Sequence, residues 1–141
     1  MKSAMGKEPL INILVVDDEQ IVLDSVKKHL RGQDLTIHTA ASAEEGLVIL
    51  DRETIDFVLT DLMMPKVDGM EFMKMAHEKR PSLPMIMMTG YATISTALQA
   101  TQMGAFAYIA KPFSRSELQE VVTRAVAEAE RLAAEQGPTE A

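Results

Sequence analysis

The chain has 141 residues, 47% hydrophobic and 25% charged, which is one domain's worth of sequence with enough apolar surface for a core of its own. It carries 14 Lys and Arg against 21 Asp and Glu, a formal charge of −7, and so acidic a chain is not built for non-specific binding to a phosphate backbone. Cysteine is absent, which excludes disulfides, thiolate nucleophiles and cysteine-ligated zinc and fits a reducing compartment.

From Leu10 to Val16 the residues are almost all apolar and β-branched, the pattern of a strand buried on both faces, and the run stops at Asp17-Asp18-Glu19. Ile21, Val22, Val26 and Leu30 then recur at helical spacing until Gly32, a C-terminal stop. Leu35 to Thr39 reads as a short strand, and Ser42 with Glu45 three residues on opens a helix that turns Leu47 and Leu50 inward. A second buried strand, Ile55 to Thr60, again ends on an acid, Asp61. After the loop from Leu62 to Val67, Asp68 with Glu71 caps a helix running to about Lys79. Pro81 and Pro84 punctuate the turn before the strand Met85 to Thr89. A helix from about Thr93 to Met103, a short strand Phe106 to Ile109 and a last helix opened by Ser114 and Glu117 follow.

Five strand and helix units in strict alternation predict an α/β fold, a five-stranded parallel doubly wound sheet with helices on both faces. The expected organisation is a tail at residues 1–9, one domain over 10–136 that includes an extended last helix, and a tail at 137–141. No apolar run approaches the roughly 18 residues of a membrane span and no leader pattern opens the chain, so a cytoplasmic protein with no membrane partner is expected.

Ligands of such sheets sit beyond the carboxyl ends of the strands. There the sequence delivers Asp17, Asp18 and Asp61, the hydroxyl of Thr89 beside Gly90, and the ammonium of Lys111 beside Pro112. Three carboxylates at one edge repel one another unless a cation holds them, and an all-oxygen set suits Mg²⁺. A lysine and a hydroxyl nearby can bind the oxygens of a phosphoryl group carried by a carboxylate, and aspartates do form acyl phosphates. Singly, each residue has an ordinary reading: Asp17 and Asp18 as helix caps, Asp61 as a loop acid, Thr89 as a strand residue, Lys111 as a surface lysine and Tyr108 as edge packing. Their joint register is what points to phosphoryl transfer onto Asp61.

The stretches Val-Val-Asp17-Asp18-Glu, Leu-Thr-Asp61-Leu-Met-Met-Pro65-Lys-Val-Asp-Gly69, Met-Met-Thr89-Gly90-Tyr-Ala and Tyr108-Ile-Ala-Lys111-Pro112-Phe together resemble the response-regulator receiver domain of bacterial two-component signalling. The resemblance covers roughly Ile11 to Ala129. It implies a flavodoxin-like sheet in the order 2-1-3-4-5. It makes Asp61 the acceptor of a phosphoryl group from a partner histidine kinase. Asp18, Asp61 and the backbone carbonyl of Met63 become Mg²⁺ ligands, with Asp17 acting partly through water. It makes Thr89 and Tyr108 the switch pair and Lys111 the phosphoryl partner, aimed by a cis Lys111–Pro112 bond, and it has Gly90 leave space beside the acceptor. Met63 and Tyr91 carry no amide or carboxylate to orient a hydrolytic water, so slow self-dephosphorylation is expected.

Two other classes share parts of this pattern. An aspartate-nucleophile phosphatase of the haloacid-dehalogenase type needs a second acid two residues after its nucleophile, where this chain has Met63. A flavin module needs hydroxyls and glycines after the first strand, where Asp17-Asp18-Glu19 would repel a phosphate. An independent enzyme is therefore not expected. Eight of the 11 methionines lie between residues 63 and 88, and they read as core filling rather than a soft-metal site. His29, His38 and His77 have no ligand spacing and read as surface or packing residues.

Along the last helix, which from Ser114 to Gln136 could extend about 35 Å, Leu118, Val122, Ala125, Ala129 and Leu132 keep a heptad-like stripe. That stripe reads either as a dimerising extension, as in receivers that precede an enhancer-binding ATPase, or as a solvated end. With no helix-turn-helix and no basic stripe, direct DNA binding is not expected. Control of a downstream output protein or domain is, either as a stand-alone receiver or as the receiver of a larger transcription regulator.

Overall fold

The computed structural model describes residues 11–136; the expected tails at 1–9 and 137–141, and Leu10, lie outside the described residues. The elements run β1 Ile11–Val16, α1 Gln20–His29, β2 Leu35–Ala40, α2 Ala43–Arg52, β3 Phe57–Asp61, α3 Gly69–Lys79, β4 Met85–Thr89, α4 Ile94–Gln102, β5 Ala107–Ala110 and α5 Arg115–Gln136. All neighbouring strands are parallel, in the order β2-β1-β3-β4-β5, as expected.

The apolar runs explain the centre of the sheet. β3 and β4 are buried along their whole length, and their side chains alternate between two cores because successive residues of a strand point to opposite faces. Leu14, Val16, Val58 and Met87 join Phe72, Met73 and Ala76 of α3 and Leu50 of α2 in one core. Ile13, Val15, Phe57, Leu59, Ile86 and Met88 join Leu23 and Val26 of α1 and Leu118, Val122 and Ala125 of α5 in the other. Met73, Met85, Met87 and Met88 are fully buried, in line with core filling. By contrast α4 buries a single residue, Ala100. The α5 stripe is used internally as far as Ala129, while Leu132 is half-buried. Arg131 bridges Glu128 at 2.8 Å and Glu135 at 2.5 Å on its outer face.

Local signals set most boundaries. Ser42 Oγ accepts the Glu45 N–H at 3.1 Å, Asp68 Oδ1 accepts that of Glu71 at 2.9 Å, and Ser114 Oγ accepts that of Glu117 at 3.1 Å. The Glu117 carboxylate returns the bond to the Ser114 N–H at 2.9 Å, completing a capping box, whereas Glu45 reaches past Ser42 to the Ala41 N–H. Gly32 takes φ +89°, the left-handed geometry expected of a helix stop.

β3 starts two residues later than the apolar pattern suggests. The carbonyl of Ile55 is taken by Arg80 Nη1 at 3.0 Å, and the same guanidinium binds the Leu50 and Glu53 carbonyls at 2.5 and 2.9 Å. Residues 53–56 are therefore held as the loop between α2 and β3, with Ile55 buried ahead of the strand. β5 is shifted by one residue, to Ala107–Ala110, because pairing with β4 continues to the Lys111 N–H and Thr89 carbonyl at 2.8 Å. Two glycines permit close approach. A Cβ on Gly46 would stand 3.0 Å from the Phe72 ring, and one on Gly69 would stand 2.1 Å from the Asp61 carbonyl oxygen. The start of α3 thus lies directly against the end of β3.

Candidate functional site

Each residue singled out at the strand ends arrives where the topology sends it. Asp61 closes β3, Thr89 closes β4, and Asp17 follows β1 with its N–H held by the Ala40 carbonyl at 3.1 Å. Lys111 follows β5, and the Lys111–Pro112 peptide is cis. Asp17, Asp61 and Thr89 are buried, Asp18 is exposed, and Lys111 is half-buried.

The three carboxylates converge, one oxygen from each of Asp17, Asp18 and Asp61 lying within 4.8 Å of the other two. Lys111 Nζ lies 2.8 Å from Asp17 Oδ2, 3.3 Å from Asp61 Oδ1 and 3.7 Å from Glu19 Oε1. The other Asp17 oxygen accepts the Glu19 N–H at 2.9 Å, so Asp17 stabilises the turn into α1 rather than capping the helix itself. Asp61 Oδ1 also faces the Met63 N–H at 3.4 Å.

Burial and then the charge of Asp17 push the Asp61 carboxyl above its ordinary value, against the opposing pull of Lys111 and the Met63 N–H. Burial alone would lower the Lys111 ammonium, but its hydrogen bond to Asp17 and the charges of Asp17 and Asp61 outweigh that and hold it above its ordinary value. One half-buried ammonium thus serves two buried carboxylates. The resulting cluster holds excess negative charge, all of it on oxygen, and its donor set fits a small hard cation.

The Thr89 hydroxyl accepts the Tyr91 N–H at 2.9 Å. A Cβ built at Gly90 would meet nothing within 4 Å, so that residue borders open space. Met63 is 55% exposed and Tyr91 69% exposed, flanking the site as their spacing suggests. Tyr108 is half-buried against the α3 side of the sheet, and its hydroxyl bonds to Thr96 Oγ1 in α4. Thr96 is a site neighbour that sequence reasoning missed; a threonine three residues after a helix cap reads as capping alone. The histidines stay outside the site: His77 Nε2 meets the Leu83 carbonyl at 2.9 Å, His38 meets Asn12 at 3.2 Å, and His29 packs edge-on to Phe113. Beside Lys111 an apolar cleft of about 520 Å³ opens, lined by Ile21, Val22, Pro112 and Phe113. Among the described residues no helix is long and apolar enough to cross a membrane.

Known proteins match this geometry in sequence and in fold. The profile of the response regulator receiver domain fits residues 13–123. The transcriptional regulatory protein GlrR of Escherichia coli is 33% identical over 115 residues, covering 82% of this chain and 26% of GlrR. The DNA-binding transcriptional regulator NtrC of Salmonella typhimurium is 36% identical over 114 residues, covering 81% and 24%. This chain therefore spans about a quarter of the length of those relatives. A CheY-like receiver domain from Methanospirillum hungatei superposes with a TM-score of 0.81 at 36% identity, over 87% of this chain and 98% of that one. NtrX from Brucella abortus gives 0.83 at 28% identity, over 91% of this chain and 29% of that one.

Proposed function

Because the chain belongs to the response regulator receiver family, we propose that Asp61 accepts a phosphoryl group from a partner histidine kinase and that the resulting acyl phosphate switches the domain's affinity for an output partner. The observation that carries this is the convergence of Asp17, Asp18 and Asp61 with Lys111 pairing two of them at 2.8 and 3.3 Å. In the transfer an Asp61 carboxylate oxygen bonds to phosphorus as the bond from phosphorus to the donor imidazole nitrogen breaks, the bonding pair leaving with the nitrogen. Lys111, freed from Asp61 Oδ1, pairs with a phosphoryl oxygen, and Thr89 turns its hydroxyl from the Tyr91 N–H toward another. Asp17, Asp18, Asp61 and the Met63 carbonyl would hold Mg²⁺, which when bound offsets the charge of the carboxylates and of the phosphoryl oxygens.

The switch is a population shift between two packings, biased by contacts that the phosphoryl group makes in only one of them. Tyr108 moves with Thr89, and the face built by α4, β5 and α5 changes. Support for an apolar partner there comes from residues 81–110, which carry no charged side chain, and from Ile94 and Leu98, 82% and 57% exposed. The similarity to GlrR and NtrC favours a receiver that controls a larger regulator, and the formal charge of −7 argues against this segment touching DNA itself. A dimer through the last helix would rest on Leu132 and beyond, since the stripe before it is buried. The apolar cleft beside Lys111 suits the approach of a donor protein.

Intact-mass measurement after incubation with Mg²⁺ and acetyl phosphate tests this reading. The parent is expected to gain the mass of one phosphoryl group and Asp61→Asn to gain none. A parent that stays unmodified would sink the proposal.

A further inference from the structure

The side chain of Thr96 serves two structures at once. In the first turn of α4 its hydroxyl accepts the Thr93 N–H at 3.1 Å, while the Thr93 hydroxyl accepts the Thr96 N–H at 3.0 Å, a reciprocal cap. A glutamate or glutamine at this position would cap as well. What the threonine adds is a bond to the hydroxyl of Tyr108, across on β5. Thr96 Oγ1 also lies 3.1 Å from the Thr93 carbonyl and 3.4 Å from the Tyr91 carbonyl.

A hydroxyl has one proton and two lone pairs. With the lone pairs taken by the Thr93 N–H and the Tyr108 O–H, its own proton goes to a carbonyl of the turn. Every hydrogen-bonding position of Thr96 is then filled, and Tyr108 is tied to the folded first turn of α4. The same turn reaches back to β4, because the Tyr91 N–H donates to Thr89 Oγ1 at 2.9 Å. With the Thr96 proton on the Tyr91 carbonyl, hydrogen bonds run from Thr89 to the Tyr91 peptide, on to Thr96 and on to Tyr108, and the helix they cross buries only Ala100.

We propose that Thr96 is a positioning residue that holds Tyr108 docked on α4 and makes this docking follow Thr89. The coupling rests on the reading of Thr89 as the hydroxyl that binds the phosphoryl group. When Thr89 gives up the Tyr91 N–H, residues 90–93 lose their tie to β4, the carbonyls around Thr96 shift, and Tyr108 responds.

The chain has two tyrosines, so ring-labelled tyrosine gives two sets of nuclear magnetic resonance signals, assigned by their loss in Tyr91→Phe. The comparison is between the parent, Thr96→Val and Thr96→Ser, each with Mg²⁺ alone and with Mg²⁺ and beryllofluoride as a phosphoryl stand-in. Valine keeps the bond from the residue 96 N–H to Thr93 Oγ1, so half of the cap survives, and circular dichroism checks that the helices remain. At rest, Thr96→Val is expected to move the Tyr108 signals and Thr96→Ser to leave them in place. With beryllofluoride, the shift of the Tyr108 signals seen in the parent is expected to persist in Thr96→Ser and vanish in Thr96→Val, while acetyl phosphate still adds one phosphoryl mass to all three. Resting Tyr108 signals that are unchanged in Thr96→Val, or a beryllofluoride shift as large as the parent's, would overturn the proposal. A parent that takes no phosphoryl group overturns the functional reading and the coupling with it, while the resting comparison alone still decides whether Thr96 holds Tyr108.

Discussion

Replacing Lys111 by methionine keeps the length of the side chain and removes the one ammonium that, among the described residues, serves Asp17 and Asp61. At 2.8 and 3.3 Å, the attractions lost are about 6 and about 5 kcal/mol at an effective dielectric of about 20. Most of that is offset because the variant no longer takes an ammonium out of water; removing one partner of a buried pair costs about 3 kcal/mol net, chiefly through the carboxylates left behind. With a urea slope of about 2 kcal/mol per molar, the unfolding midpoint at neutral pH is expected to fall by about 1.5 M when no divalent cation is present. Adding Mg²⁺ separates this account from a simple packing defect. In the parent, a cation at the cluster competes with Lys111 for Asp17 and Asp61; in Lys111→Met it has no competitor, so the stability gained from Mg²⁺ is expected to be larger in the variant. A loss below about 1 kcal/mol without Mg²⁺, or equal gains from Mg²⁺ in both proteins, would refute the reasoning.

Gly69→Ala puts a methyl 2.1 Å from the Asp61 carbonyl oxygen and 2.8 Å from Leu62 Cα, both backbone atoms, so α3 must back away from the acceptor strand. A stability loss of about 2 kcal/mol, roughly 8 °C in melting temperature, is expected together with slower phosphorylation. Gly90→Ala meets open space and is expected to change stability by less than about 0.5 kcal/mol; a loss as large as that of Gly69→Ala would contradict the packing described. Arg80→Ala strands three carbonyls and is expected to cost about 2 kcal/mol in denaturant unfolding while leaving the yield of phosphorylated Asp61 unchanged. Met63→Asn supplies an amide beside the acceptor and is expected to hasten loss of the phosphoryl group, timed by intact mass; an unchanged or slower rate counts against the role given to this position.

The sequence made the sheet and the strand-end residues legible because both leave local marks. Buried parallel strands are continuous apolar runs, and acids abruptly ending two of them mark the edge where ligands sit. Ser42, Asp68 and Ser114 announce their helices for the same reason: a cap acts within four residues. What escaped acts across the chain on generic backbone groups. Arg80 binds three carbonyls 25 to 30 residues away, and no residue type at those positions is needed to receive it. Gly69 stands in the stretch that carries the family resemblance, but nothing local marks its constraint, which is the Asp61 carbonyl. Tyr108 was recognisable through family resemblance, but its partner Thr96 was not, since the bond joins an edge strand to a helix whose exposed face carries no periodic signal. The methionines divided: most fill the core, while Met63 stands exposed beside Asp61.

α4 buries only Ala100, whereas α3 buries Gly69, Met70, Phe72, Met73 and Ala76. A helix held by so little apolar area opens at a small fraction of the free energy needed to unfold the sheet, so its amides should exchange with deuterated solvent well ahead of those in β1, β3 and β4. The domain thus keeps its carboxylate cluster on the part of the molecule expected to breathe least and places beside it a segment expected to breathe readily. A modest bond at Asp61 could not reshape the sheet, but it is large enough to change how often α4 is in place.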